Sequence, residues 1–124
     1  MEYKVSAVVN FVLKDEDIDD IMAAALEGGI CYWCDKAEVV ESDYLGEFAS
    51  EQISRGGSLK LYDCESDDTF ILTRDKFIEG VKKACEQGYS TEWLEDGEID
   101  TCMIDSDAAD VIVQLALFGE VVFG

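Results

Sequence analysis

Histidine and proline are both absent from the 124 residues, and bases are scarce: nine Lys and Arg stand against 29 Asp and Glu. Without histidine, no Ser–His or Cys–His nucleophile pair can form. Without proline, every turn falls to Gly, Asp, Asn and Ser. No apolar run approaches the roughly 18 residues of a membrane span. Met1-Glu2-Tyr3-Lys4 opens a polar-interrupted strand pattern, not the basic start and apolar run of a signal peptide. Together with an odd number of cysteines, five, this predicts reduced thiols in a cytoplasm.

What the chain does have is material for a core. Hydrophobic residues make up 48% and aromatics 10%, a content that disordered acidic tails lack. The pattern predicts one α+β domain spanning 1–124, with a small antiparallel or mixed sheet and about three helices. Residues 3–13 alternate as a strand. Asp15 is expected to cap a helix to about Glu27, with Ile18, Ile21, Met22 and Ala25 inward and Gly28-Gly29 as a left-handed stop. Residues 30–40 read as a strand, and 44–54 as a short helix. Ser58–Asp63 and Thr69–Leu72 read as hairpin strands. Thr73 caps a helix to about Gln87 that Gly88 stops. Asp105 caps a last helix with Ala109, Ile112, Val113 and Ala116 inward and Gly119 at its end, and residues 120–123 read as a closing strand. Asp20-Ile21-Met22 with Gly29 matches Asp110-Val111-Ile112 with Gly119, as two acid-led amphipathic helices obeying the same rules would.

The net charge of −20 exceeds the magnitude of about 2–8 that suits a small soluble domain, and it is unevenly placed. Residues 15–54 hold twelve acids and only Lys36, and residues 84–124 hold ten acids and no base. Residues 55–83, between them, balance six against six. Duplex DNA carries one charge per ~1.7 Å, so twenty charges match roughly 34 Å of duplex. A domain of this length has a radius of gyration of about 14 Å. Should the two blocks form one face, the chain would present a DNA-like charge density to a basic groove. The ordinary alternative is an acidic protein with solvated helix faces.

Motifs for chemistry are weak. Cys31-Tyr32-Trp33-Cys34 is a C-x-x-C, but it follows a Gly-Gly stop and enters an expected strand, whereas a redox pair opens a helix. A zinc site there needs two more ligands, and Cys64, Cys85 and Cys102 are isolated. Asp15, Asp17 and Asp19 start like a calcium loop, yet Asp20 replaces its glycine and Leu26 its closing glutamate. The acidic loop 63–68 offers a divalent cation a weak site at most. No glycine-rich phosphate loop follows a strand. No catalytic residue, metal or cofactor is expected, and the charge sign disfavours direct nucleic-acid binding. Trp33 reads as core. Trp93, between Glu92 and Leu94, reads equally as a core anchor or an interface anchor.

Several stretches together carry a resemblance: Ala25-Leu26-Glu27-Gly28-Gly29-Ile30, Tyr32-Trp33-Cys34, Gln52-Ile53-Ser54-Arg55-Gly56-Gly57-Ser58-Leu59, Glu98-Ile99-Asp100-Thr101-Cys102 and Ala116-Leu117-Phe118-Gly119-Glu120. The chain resembles a family of small acidic proteins of phages and mobile elements in Gram-positive bacteria. The resemblance implies an accessory protein of the anti-CRISPR or anti-restriction kind inside a bacterial host cell. The expected partner is a basic nucleic-acid-binding protein or ribonucleoprotein complex. The expected binding residues are Asp15, Glu16, Asp17, Asp19, Asp20, Glu92, Trp93, Glu95, Asp96, Glu98, Asp100, Asp105 and Asp107. Two other classes stay open: a zinc or thiol protein built on Cys31 and Cys34, and an acidic housekeeping or structural interaction domain.

Overall fold

Helix α1 runs Asp15–Ala24 and opens on a local side-chain bond. The Lys14 backbone N–H donates to the Asp17 carboxylate at 2.9 Å, the third-position half of a capping box. The capping position is therefore Lys14, one residue before the expected Asp15, which is instead the first helical residue. The inward face is as expected: Ile18, Ile21, Met22 and, just beyond the helix, Ala25 are buried. This computed structural model describes residues 1–3, 10–40, 45–89, 92–95 and 97–124. Most of the expected first strand, residues 4–9, therefore lies outside the described residues, as does Tyr44. Of residues 10–13, Val12 bridges to Glu98.

The chain leaves α1 through a wide π-helical turn, Ala25–Gly29, and the expected left-handed glycine stop does not form. Neither Gly28 nor Gly29 has positive φ. Gly29 is needed for a different reason: a Cβ there would collide with the Ser106 backbone carbonyl. Residues 30–33 stay coiled, with the Cys34 N–H on the Ile30 carbonyl at 2.8 Å, so strand β1 is shorter than expected, Cys34–Val39. Between 44 and 54 the only helical piece among the described residues is a 3₁₀ turn, Ala49–Glu51.

Strands β2 (Leu59–Asp63) and β3 (Thr69–Leu72) complete an antiparallel meander in the order β1-β2-β3. Thr73 then caps helix α2 (Arg74–Glu86), its hydroxyl accepting from the Lys76 N–H at 3.3 Å. A small hairpin, β4 (Leu94–Glu95) and β5 (Glu98–Ile99), occupies the acidic stretch that periodicity does not resolve. Asp105 caps helix α3 (Ser106–Phe118), its carboxylate accepting from Ala108 at 2.8 Å.

Helix α3 sits centrally. It packs most extensively against α2, and also against the π turn, α1 and β3. Gly80 of α2 lies against Ile112 and Ala116, while Asp110 and Gln114 meet Tyr32 and Trp33. A helix turns about 100° per residue, so these two pairs lie on nearly opposite faces of α3. The core is one cluster from all layers, including Leu59, Leu61, Leu72, Phe77, Ile112 and Trp33. No helix among the described residues is long and apolar enough to cross a membrane.

Candidate binding face

The structure sorts the acids of α1 into two kinds. Asp15, Glu16 and Asp20 are exposed. Asp17 is buried with its carboxylate on the Lys14 N–H. Asp19 is half-buried and accepts from the Ser54 hydroxyl. Both hold the fold, Asp17 out of solvent and Asp19 partly so.

Of the exposed acids of α1, Asp20 touches the second acidic block. The Thr101 hydroxyl donates to Asp20 Oδ2 at 3.0 Å, beside a 3₁₀ turn, Thr101–Met103. The Lys14 ammonium pairs with Glu98 at 3.1 Å, and the Val12 N–H reaches the Gly97 carbonyl at 2.9 Å. Through Gly29 and Ser106 the π turn abuts the start of α3, which bears exposed Asp105 and Asp107. Glu92 and Glu98 are exposed as well. Asp100 is half-buried and caps the 3₁₀ turn by accepting from Cys102 at 3.1 Å. Asp96 and the side chain of Glu95 lie outside the described residues. The two blocks thus adjoin along one seam. Its base Lys14 is bonded to Glu98, whose hydrogen bond and charge hold the lysine pKa above its usual value.

Trp93 resolves to the core: it is 5% exposed and belongs to the buried cluster, while its carbonyl accepts from Asp100 at 2.7 Å. It is not a surface anchor. Cys31 is exposed and Cys34 buried, and among the described residues no three Cys, Asp or Glu side chains group to hold a metal. Burial pushes the Cys34 thiol pKa up, opposite to the shift of a reactive thiol.

A second constellation was not anticipated from sequence. On α3, Asp110 is buried and accepts three hydrogen bonds. The Trp33 indole N–H donates at 2.8 Å, the Tyr32 hydroxyl at 2.6 Å and the Gln114 amide at 2.9 Å. The Tyr32 phenol is pushed up to about 12, first by its partial burial and then by its bond to Asp110. Gln114 is fully buried and reaches the C-terminal residues. Its Oε1 accepts from the N–H groups of Val122 and Phe123, both at 2.8 Å, and its Nε2 faces the Phe123 carbonyl at 3.1 Å. The expected closing strand is therefore a strap pinned by a side chain. Phe123 stacks flat on Trp33, with centroids 4.8 Å apart and planes 5° from parallel. The available signal was a polar pair at i, i+4, Asp110 and Gln114, on a helix otherwise read as apolar.

No family model matches the chain, and no curated protein or solved structure is significantly similar to it.

Proposed function

We propose that this chain is a binding protein, not an enzyme, and that it inhibits a nucleic-acid-handling host defence complex by occupying its basic groove. It works in the cytoplasm of a bacterial host, carried there by a phage or mobile element, as its resemblance to small acidic proteins of that setting implies. The observation that supports this reading is the seam between α1 and residues 97–107, where two base-poor blocks adjoin. Asp20 and Glu98 stand at the seam, and Asp15, Glu16, Glu92, Asp105 and Asp107 are further exposed carboxylates of the two blocks. Against a groove built for phosphates they would stand in for the nucleic-acid backbone. Attraction of this kind raises association rates and fades as salt screens it.

The test is capture of partners from a Gram-positive lysate on the immobilised chain at low salt, followed by washes of rising salt. The reading predicts a basic nucleic-acid-binding protein or ribonucleoprotein that is retained at about 50 mM salt and released well below about 500 mM, where the Debye length has shrunk severalfold. Nucleic acid added in excess should compete for it. Retention indifferent to both salt and competitor would overturn the reading.

A further inference from the structure

Three features distinguish the slot that holds Val122 and Phe123. Gln114 reads main chain only, accepting from two successive backbone N–H groups and facing a backbone carbonyl. That amide is held in place from behind: Asp110 accepts from its Nε2, and Asp110 is itself fixed by Trp33 and Tyr32. Beside it, the face of Trp33 takes one aromatic ring, with Phe118 edge-on to that ring at 5.9 Å. The main chain is thus read by hydrogen bonds and one side chain by a pocket, the division of labour of strand-type peptide recognition.

The present occupant is lightly held. Gly119, in the left-handed conformation at φ 75°, reverses the chain off α3, and the residues that follow pair with no strand among the described residues. Glu120, Val121 and Val122 are exposed. Among the described residues, the Gln114 bonds and the packing of the Phe123 ring on Trp33 and Phe118 seat the strap. If it lifts, Nε2 keeps Asp110 and Tyr32, but the buried Oε1 loses both donors. The Oε1 uncovered in this way is left to water or to a replacement backbone with the same two donors.

The geometry points to a docking site for an extended partner segment with an aliphatic residue followed by Phe, for which residues 122–123 are a built-in competitor. Basic flanks suit it, because the exposed Asp107 bears electrostatically on Tyr32 at the slot edge. The inference rests on the slot alone and does not need the acidic seam to bind a basic groove.

The test uses the full chain carrying Phe123→Ala, which removes the ring and leaves Trp33, Asp110 and Gln114 intact. Two synthetic peptides are added in trans: residues 119–124, and the same segment with lysines in place of its ends. The Trp33 indole N–H resonance and near-ultraviolet dichroism report on the slot. Phe123→Ala should shift both signals, and each peptide should restore them. Binding to the wild-type chain should be at least roughly tenfold weaker, because its own strap occupies the slot. The lysine-flanked peptide should bind more tightly, and this advantage should shrink with salt. Peptides with Ala in place of Phe should not bind. The inference is overturned if the signals do not move on Phe123→Ala, if neither peptide restores them, or if the Ala peptides bind equally. Hydrogen exchange on the wild-type chain decides the matter even if the variant fails to fold. The amides of 122 and 123 should exchange at least about tenfold faster than the α3 interior. Exchange only at the global unfolding rate would mean that the strap never opens by itself, and would also overturn it.

Discussion

Helices α1 and α2 both pack on α3, yet they treat charge in opposite ways. In α2, Asp75 stands in the first turn and Lys83 in the last, each where the helix dipole favours it, and four bases meet three acids. In α1, five of ten residues are acids and no base is present. Local helix needs explain only part of that surplus. Asp17 serves the cap, and Asp19 ties the helix to Ser54. Asp20 ties it to Thr101. Asp15 and Glu16 make no such side-chain bond among the described residues and serve the helix only through its dipole, as Asp75 does in α2. Part of the formal charge is thus structural, Asp110 above all, and the charge available to a partner is smaller and more local than the total.

That contrast can be broken by substitution. The largest effect is expected at Asp110. Asp110→Ala strands the Trp33 indole N–H and takes the charged acceptor from the Tyr32 hydroxyl and the Gln114 amide, and should destabilise by about 3 kcal/mol in urea denaturation. A loss under about 1 kcal/mol would mean that these donors find water instead. Next is Asp17→Ala, which removes the cap bond at α1 and should cost about 1 kcal/mol. The double change Asp15→Asn with Glu16→Gln should alter stability by no more than about 0.5 kcal/mol, since surface charges contribute little. If it destabilised as much as Asp17→Ala, the division of α1 acids into structural and free would fail.

A smaller effect concerns pH. The folded-state pKa of Tyr32, about 12, lies above its ordinary 10.0. The folded chain therefore holds this proton more tightly than the unfolded one. Its contribution is complete below pH 10 and is lost as pH rises toward 12. The contribution is modest because the residue is half-exposed, at 53%. Phenolate absorbance of a Tyr32→Phe variant against wild type should lack the latest-titrating step.

The parts of the fold that read plainly from sequence are those decided by near neighbours. Thr73 and Asp105 bond to backbone three residues on, and Gly119 takes its positive φ where the helix ends. The parts that did not read are settled across the chain. Residues 30–33 look β-like in composition, but the turn after α1 continues through them and pairing with 59–63 begins only at Cys34. Residues 120–123 look like a strand, yet the N–H groups of Val122 and Phe123 go to Gln114. Asp110 meets partners 77 and 78 positions away, and no local pattern reveals that. The acidic blocks were visible as composition. Their division into exposed and inward carboxylates required the hydrogen bonds.

The most direct test of the central claim compares salt slopes. The affinity for a captured basic partner is measured against salt for wild type, for the Asp15→Asn/Glu16→Gln variant, and for a control neutralised on α2, Asp75→Asn/Glu79→Gln. The account predicts that log affinity falls steeply with log salt for wild type, less steeply for the α1 variant, and as in wild type for the α2 control. Equal slopes in all three, or the α2 change flattening the slope as much as the α1 change, would contradict it.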